Sequence, residues 1–316
     1  MWIAVVEAPG KIELHECELP APDQDEVVIK VEGSGVCASE TGIWQGRAWF
    51  EYPLAPGRPG HESWGIIHDV GHAVTSLKAG DRVCSFSQAA YAEYTTAKAS
   101  QCVRLPDELD GKPFPGEPIA CAVNSFIRCN IQKDDTVAVV GAGFQGLLLT
   151  QLAARAGAEV TLISRRPSAL QLGQCLGAQH VIPLIDYQQA INQGMHVCND
   201  RGFDRVIEAT GHQRPLDIAT ELTRVRGNLI IVGYHQDPRS VNMQQWNWRG
   251  IDVINAHERD QRKYVEGLWD AIEAVVEGQL TIEPLLTHTF SLHELDHALN
   301  MALERPEGFI KGIVIP

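Results

Sequence analysis

Residues 137–149 read VAVVGAGFQGLLL and place Gly141, Gly143 and Gly146 in a G-x-G-x-x-G spacing. A β-branched run precedes the glycines and a helix-forming run follows them, which predicts a tight turn from a buried strand into a helix. The first glycine permits the turn, the second lets the backbone approach a pyrophosphate, and the third lets the helix pack on the strand. The helix N-terminus offers N–H groups to the anion. The stretch therefore predicts a dinucleotide-binding turn.

The sequence around this turn alternates between strand and helix patterns. Short apolar runs such as EVTLIS, HVIPL, FDRVIEATG and GNLIIVG alternate with helical runs such as LLLTQLAARAGA and PLDIATELTRV. This alternation predicts parallel βαβ units, with helices covering both faces of the sheet. A glycine turn of purely structural use is the alternative, and the βαβ context favours binding.

The beginning and end of the chain have a different character. EVVIKVEGSGV, SWGIIHDVG and AYAEYTTA are β-branched or aromatic runs bounded by turn residues. The closing residues hold a long amphipathic helix, a strand, a second helix and a final strand. We therefore expect an α/β fold in two domains. Residues 1–117 would form a β domain that residues 257–316 complete, and residues 118–256 would form a doubly wound parallel-sheet domain.

The strand after the glycine turn indicates which dinucleotide is bound. An NAD site usually has an acidic residue about 20 positions after the glycines, which accepts bonds from the ribose hydroxyls. Here Ser164, Arg165 and Arg166 stand at the strand end without an acid. Two guanidinium groups would bind a 2′-phosphate, which favours NADP(H) over NAD(H). The alternative is that both arginines are solvated loop charges.

The composition limits the range of partners. The chain has 316 residues, with 26 basic and 40 acidic side chains and a formal charge of −14. Nucleic acid and anionic membranes repel so acidic a protein, so neither is an expected partner. No apolar run approaches the roughly 20 residues of a membrane-spanning helix, and the start MWIAVVEAPGKIEL does not resemble a signal peptide. Eight cysteines without a C-x-x-C pair indicate reduced thiols and a cytoplasmic protein.

Two loops of the expected β domain carry residues that bind metals. GSGVCASE contains Cys37, and RPGHESWG contains His61 and Glu62 side by side. Zinc prefers thiolate and imidazole, and a catalytic zinc keeps three protein ligands and one open position. Glu117 is the candidate third ligand, and Cys121 is the alternative. Glu62 would act as a neighbouring anion or as an occasional ligand.

In their order along the chain, these segments resemble the medium-chain dehydrogenase/reductase superfamily, of the zinc-dependent alcohol, polyol and threonine dehydrogenase type. GSGVCASE resembles its Gly-x-Cys-x-Ser/Thr-Asp ligand loop, PGHESWG its Gly-His-Glu loop, and GAGFQG its coenzyme loop. AGDRV, YAEY, VRLPD, LLTHTFSLHELDHAL and GIVI resemble further elements of the family. The resemblance covers residues 1–316 in the family's order.

The resemblance implies a GroES-like β domain, a Rossmann domain and catalysis in the cleft between them. It implies that Cys37, His61 and Glu117 hold one zinc ion, with the glutamate in the manner of polyol dehydrogenases. Ser39 stands at the position of the family's proton-relay hydroxyl. Zinc would lower the pKa of a substrate hydroxyl, Ser39 would pass its proton toward solvent, and a hydride would move to the nicotinamide.

The chain departs from the family pattern at three places. Gly42 replaces a histidine of the proton relay, so an extended relay is not expected, and Glu40 replaces the usual aspartate of the loop. Many members carry a cysteine-rich lobe around a structural zinc between GDRVCSF and YAEY, where SFSQAA bridges the gap here. We therefore expect one metal per chain, and we expect Cys84 to be a buried core thiol.

Further coenzyme contacts follow from the same resemblance. Phe144 and Gln145 lie within the glycine turn, and Thr210, Val232 and Gly233 resemble strand-end positions beside the cofactor. The family commonly pairs its Rossmann sheets edge to edge, so a homodimer or homotetramer is expected.

Three interpretations of function remain open at this point. The leading one is a zinc-dependent oxidoreductase that transfers a hydride between a primary or secondary alcohol, including polyols and sugar-derived alcohols, and a nicotinamide cofactor. The second is a zinc-free NADPH-dependent enoyl or quinone reductase on the same fold, and the third is a non-catalytic nucleotide-binding protein. The set of Cys37, Ser39, His61 and Glu117 favours the first, because the other two need no metal ligands. Its substrate would be a small alcohol or carbonyl compound.

Overall fold

A computed structural model describes residues 1–316 and divides into two compact units. Unit 1 comprises Met1–Ala120, Leu268–Val276 and Glu283–Pro316, and unit 2 comprises Cys121–Gly267 and Glu277–Ile282. Both units are built from the elements that follow.

Fifteen strands form, and in chain order they are β1 (Trp2–Ala8), β2 (Lys11–Glu16), β3 (Glu26–Gly35), β4 (Glu62–Val70), β5 (Arg82–Ser85), β6 (Tyr94–Lys98), β7 (Cys102–Arg104), β8 (Thr136–Val140), β9 (Glu159–Ser164), β10 (His180–Pro183), β11 (Phe203–Glu208), β12 (Thr223–Ile231), β13 (Asp252–Asn255), β14 (Leu286–Ser291) and β15 (Lys311–Ile315). Nine helices form, and they are α1 (Thr41–Trp44), α2 (Gly116–Cys129), α3 (Phe144–Arg155), α4 (Pro167–Cys175), α5 (Tyr187–Val197), α6 (Gln213–Leu222), α7 (Met243–Arg249), α8 (Gln261–Val276) and α9 (Leu295–Glu304). None of these helices is both long and apolar enough to cross a lipid bilayer.

Unit 1 is a β domain. Strands β14, β15, β3, β4, β5 and β7 lie side by side in that order, β6 pairs with β3, and β1 and β2 form a separate antiparallel hairpin. Val27, Val28 and Ile29, near the beginning of β3, are fully buried, which explains the short apolar run at that point of the sequence. Strand β15, near the end of the chain, pairs antiparallel with the end of β3 at Gly35. The last strands therefore complete the sheet that carries the first ligand loop.

Unit 2 is a doubly wound α/β domain, as the alternating sequence predicted. Its six strands lie in the order β10, β9, β8, β11, β12, β13, and every neighbouring pair is parallel. The order reverses between β8 and β11. In open parallel sheets, ligands bind outside the carboxyl ends of the strands at such a reversal, so the sheet directs the glycine turn after β8 to the binding edge.

The boundaries of the two units differ slightly from the predicted domains. The first segment of unit 1 ends at Ala120 rather than at residue 117, and residues 257–267 and 277–282 group with unit 2. Contacts within unit 2 explain this grouping. Arg128 Nη1 donates a hydrogen bond to the carbonyl of His257 at 2.9 Å, and a Cβ atom at Gly267 would lie 2.3 Å from the Asn124 side chain.

Candidate metal centre and coenzyme site

Cys37 lies just beyond the end of β3, where the chain enters a short 3-10 turn over Ala38–Glu40. The turn is stabilised by Glu40, whose Oε2 accepts a hydrogen bond from the backbone N–H of Cys37 at 3.2 Å. The Ser39 hydroxyl donates to Cys37 Sγ at 3.1 Å. The loop thus holds the thiol and the hydroxyl next to each other.

His61 immediately precedes β4 and is held through one ring nitrogen. Its Nδ1 lies 2.9 Å from the carbonyl oxygen of Pro59 and 3.1 Å from Oε1 of Glu40. Since the carbonyl only accepts, Nδ1 carries a hydrogen, which leaves Nε2 as the nitrogen that would bind a metal once it gives up its own proton. A carboxylate behind a ligand histidine is the usual support for a metal-bound ring.

Glu40 and His61 show the electrostatic character of this pocket. Burial raises the pKa of the Glu40 carboxyl, while hydrogen bonds from His61 and Tyr91 act in the other direction without reversing the shift. The Tyr91 hydroxyl donates to Glu40 Oε2 at 2.6 Å. Burial acts to lower the pKa of His61, but the negative charge of Cys37 and Glu40 outweighs it and raises that pKa well above 6.5. Negative charge therefore dominates around the ring.

Glu62, the first residue of β4, is completely buried beside these groups. Its carboxylate forms an ion pair with Lys311, whose Nζ lies 2.7 Å from Oε1 and 2.5 Å from Oε2. A Cβ atom at Gly35 would lie 1.9 Å from Glu62 Oε2, so the carboxylate needs a glycine at the end of β3. This close approach gives the second glycine of GSGVCASE a structural reason.

The structure brings three predicted metal-binding residues together. Ligand atoms of Cys37, His61 and Glu62 all lie within 4.8 Å of one another. Glu117 is not a member of this group; it is half-buried in the first turn of α2. Cys121 belongs to unit 2, where its thiol lies 4.0 Å from the Tyr264 hydroxyl.

Two supporting residues were missed by the sequence analysis. Tyr91 and Lys311 are both buried and bind the two acidic side chains of the ligand loops. The signal for Lys311 was a single charge within the apolar run GFIKGIVIP, because a buried lysine requires an anion. Cys84, in contrast, is fully buried as predicted, and burial raises the pKa of its thiol.

The three glycines of the coenzyme turn have three different structural roles. Gly141 has a φ of +116°, which L side chains rarely adopt. Gly143 caps α3, and a Cβ atom there would meet nothing within 4 Å. A Cβ atom at Gly146 would lie 1.9 Å from the Gly141 carbonyl, so the third glycine permits the close packing of helix on strand. The open space at Gly143 is where a pyrophosphate would approach.

Five further predicted coenzyme residues lie in the glycine turn or at the end of the neighbouring strand β9. Phe144 is the first residue of α3, and its side chain is buried. Its backbone amide would therefore be the group that contacts a phosphate. Gln145, the next residue, is half-buried. Ser164 is buried at the end of β9, Arg165 is exposed, and Arg166 Nη2 donates to the carbonyl of Ala142 at 2.9 Å. Arg166 is therefore drawn onto the glycine turn, whereas Arg165 extends into solvent.

Thr210, Val232 and Gly233 all lie at the carboxyl ends of strands β11 and β12. The N–H groups of Val232 and Gly233 donate to the carbonyl of Glu208 at 2.9 and 2.8 Å, and the N–H of Thr210 donates to the Glu208 carboxylate at 2.6 Å. The structure thus places the predicted strand-end positions at the binding edge of the sheet, on the other side of the strand-order reversal from β9.

The sequence is similar to those of known alcohol and polyol dehydrogenases. The family model of the alcohol dehydrogenase GroES-like domain matches residues 23–107, and that of the zinc-binding dehydrogenase matches residues 146–274. The sorbitol dehydrogenase of Bacillus subtilis (strain 168) is 27% identical over 349 residues, covering 100% of this chain and 97% of that protein.

Two solved structures share the fold. One is a short chain alcohol dehydrogenase from Escherichia coli CFT073 complexed with NADH, with a TM-score of 0.88 and 22% identity, and the alignment covers 100% of this chain and 99% of that one. The other is a mycobacterial protein complexed with NADPH, with a TM-score of 0.86 and 23% identity, and the alignment covers 100% of both chains.

The fold, the glycine turn and the ligand cluster define a nicotinamide-dependent alcohol oxidoreductase. The chain belongs to the medium-chain dehydrogenase/reductase superfamily, in its zinc-type alcohol and polyol dehydrogenase group. It is an NAD(P)-dependent alcohol dehydrogenase by class.

Proposed function

We propose that the protein interconverts an alcohol and its carbonyl compound at one zinc ion held by Cys37, His61 and a carboxylate, with NADP(H) as the hydride carrier. The observation that supports this proposal most directly is the group of a thiol, an imidazole and a carboxylate whose ligand atoms lie within 4.8 Å of one another. A protein that only bound a nucleotide, or a reductase without a metal, would have no need of this group.

The donor set fits zinc. Sulfur, nitrogen and carboxylate oxygen are the three ligand types that Zn²⁺ uses in proteins, whereas magnesium and calcium prefer oxygen alone. The Glu40 and Glu62 carboxylates are both buried near Cys37, and Lys311 is the buried lysine that faces them. A cation held by Cys37 and His61 would offset the remaining negative charge of this pocket.

Two carboxylates are candidates for the third ligand. Glu62 lies within the cluster, but Lys311 holds its carboxylate at 2.5 Å, and binding to a metal would separate this buried pair. Glu117 is proposed as the permanent third ligand because the resemblance to polyol dehydrogenases implies a glutamate at this position, with Glu62 as an occasional ligand. Zinc analysis of Glu117→Gln beside Cys121→Ser tests this assignment, since only the residue that binds zinc should lower the metal content when replaced.

The chain's own residues would handle the proton. Zinc would supply the Lewis acid that lowers the pKa of the substrate hydroxyl. Ser39 lies against Cys37, and its hydroxyl can accept a proton from a substrate hydroxyl while it donates its own. Gly42, at the next position of the family's relay, has no side chain to continue the transfer. The proton would therefore pass from Ser39 to water, and the nicotinamide would accept the hydride.

NADP(H) is the proposed coenzyme because the end of β9 carries no acid. Arg165 is exposed there, and Arg166 is bonded to the glycine turn. A guanidinium group binds a phosphate through two parallel hydrogen bonds, whereas a carboxylate would repel it. The related folds include one structure with NADH and one with NADPH, so the arginines and not the fold support the choice. Dissociation constants for NADPH and NADH, in the wild type and in Arg165→Ala, test it.

Polyols and sugar-derived alcohols are the proposed substrates, on the basis of the glutamate ligand and the likeness to a sorbitol dehydrogenase. All eight cysteines are free thiols, which supports a reducing, cytoplasmic location.

A homodimer or homotetramer is proposed through strand β13, an edge strand on which Val253 is exposed. Sedimentation of wild type and Val253→Lys would show whether this edge pairs, because a charge on a pairing edge weakens association.

Turnover tests the proposed reaction. Purified protein should reduce NADP⁺ in the presence of a polyol such as sorbitol, lose this activity with a zinc chelator and regain it with added zinc. NADPH-dependent reduction of an enoyl or quinone compound that a chelator leaves unchanged would contradict the proposal and support the zinc-free reductase.

A further inference from the structure

Glu208, the last residue of β11, has a completely buried carboxylate at the binding edge of the sheet. Its Oε1 accepts hydrogen bonds from the N–H groups of Thr210 at 2.6 Å and Gly211 at 3.0 Å, and the Thr210 hydroxyl also donates to it. Its backbone carbonyl accepts from Val232 and Gly233. One residue therefore fixes the loops that follow both β11 and β12.

His235, in the loop after β12, binds the other oxygen of this carboxylate. Its Nε2 lies 2.8 Å from Glu208 Oε2, and its Nδ1 accepts a hydrogen bond from Arg239 Nε at 3.0 Å. Because a guanidinium group only donates, Nδ1 must carry the lone pair, and Nε2 carries the hydrogen that it donates to Glu208. Arg239 Nη2 also donates to the carbonyl of Gly211 at 2.7 Å. The three side chains thus close a ring of hydrogen bonds between the two loops.

The backbone is packed around this ring without spare space. A Cβ atom at Gly233 would lie 2.2 Å from the nitrogen of Gly211 and 2.5 Å from Oε2 of Glu208. Gly211 has a φ of +77°, and a Cβ atom there would lie 2.5 Å from the carbonyl oxygen of Tyr234. The loops therefore have little freedom to move apart while the ring is intact.

The position of the ring in the sheet indicates which part of a dinucleotide it serves. A doubly wound sheet binds one mononucleotide half on each side of the strand-order reversal. The glycine turn after β8 and the end of β9 lie on one side and would hold the pyrophosphate and the adenosine half. The ends of β11 and β12 lie on the other side and would meet the nicotinamide half.

We propose that Glu208, His235 and Arg239 are positioning residues for the nicotinamide half of the coenzyme. They hold the backbone at Thr210 and Val232 in the binding geometry and act through that backbone rather than by touching the reacting atoms. The inference rests on the proposed dinucleotide-binding function.

The test compares two probes that differ in the half they contain. Dissociation constants for NADPH and for the adenosine fragment 2′,5′-ADP are measured by titration calorimetry in wild type, Arg239→Met and His235→Phe. Each variant removes two hydrogen bonds of this network, which should raise the dissociation constant of NADPH at least about tenfold and leave that of 2′,5′-ADP unchanged. His235→Gln, whose amide still donates to Glu208, should keep part of the NADPH affinity.

Arg201→Met is the matched control, because this exposed arginine precedes β11 at the opposite end of the strand and should leave both constants unchanged. Variants that are folded by circular dichroism and bind NADPH as tightly as the wild type would overturn the inference, whatever their unfolding midpoints. An equal loss for both probes would also overturn it. A wild-type protein that binds neither probe would instead refute the proposed function itself.

Discussion

Nζ of Lys311 lies 2.5 Å from a carboxylate oxygen of Glu62, although the two residues are 249 positions apart in the sequence. Both side chains are almost completely buried. The desolvation of either charge is large, so each depends on the other for compensation. Since Glu62 follows His61 directly, this pair fixes the second ligand loop to the last strand of the chain.

Replacing Lys311 alone should therefore destabilise the protein strongly. Lys311→Met leaves the Glu62 carboxylate buried without its partner, and we expect a loss of about 3–5 kcal/mol in the free energy of unfolding. The double variant with Glu62→Gln should recover most of this loss, because it removes the uncompensated charge. Urea unfolding of both proteins measures the difference, and a Lys311→Met protein as stable as the wild type would contradict the account.

The coenzyme turn allows binding and folding to be separated with two alanine substitutions. Gly143→Ala adds a methyl group in open space at an ordinary φ of −85°, so stability should not change while NADPH affinity falls at least about tenfold. Gly146→Ala places its methyl group 1.9 Å from a backbone oxygen and should lower the unfolding midpoint. Thermal unfolding and NADPH titration of the two variants provide the comparison. Unchanged NADPH affinity in Gly143→Ala would refute the phosphate site.

Ser39 should affect turnover and not metal content. Ser39→Ala removes the hydroxyl proposed to take the substrate proton, and we expect kcat to fall by about 10²-fold or more. Ser39→Thr retains the hydroxyl and should retain most of the activity. Zinc analysis accompanies the kinetics. If Ser39→Ala loses its zinc as well, the hydrogen bond to Cys37 Sγ would be the function of this side chain, and the relay assignment would be wrong.

Asp204 should make part of the stability depend on pH. Burial acts to raise its pKa, but hydrogen bonds from Thr136 and the Arg224 guanidinium outweigh burial and lower the pKa below its ordinary value of 3.8. A carboxyl group with a lowered pKa contributes stability above its ordinary pKa, and that contribution is lost as the pH falls through the lowered value. The urea midpoints of wild type and Asp204→Asn should therefore differ most near neutral pH and converge in acid. A constant difference would contradict this assignment.

The elements set by local pattern were predictable from the sequence. The strand, glycine turn and helix of residues 137–149 form as expected, since Gly141 and Gly146 meet steric requirements of the turn itself. The end of β3 pairs antiparallel with the beginning of β4. Cys37 follows β3, and His61 and Glu62 stand at the beginning of β4, so this pairing brings the three side chains together.

Features that depend on contacts between residues far apart in the sequence could not be predicted from local pattern. The helical pattern PLDIATELTRV continues to Val225, yet α6 ends at Leu222, because Thr223 pairs with Phe203 and the chain becomes a strand. Tertiary pairing overrides local propensity at this point. The partners of Lys311 and His235 depend equally on the fold, and no periodicity of the sequence indicates them.

Zinc stoichiometry tests the central claim most directly. Purified protein, prepared without chelator, is analysed for metal beside Cys37→Ala, with Cys84→Ala as the control at a buried thiol outside the cluster. The account predicts about one zinc per chain in the wild type and in the control, and its loss in Cys37→Ala. Wild-type protein without zinc, or a Cys37→Ala variant that keeps it, would contradict the proposed metal centre.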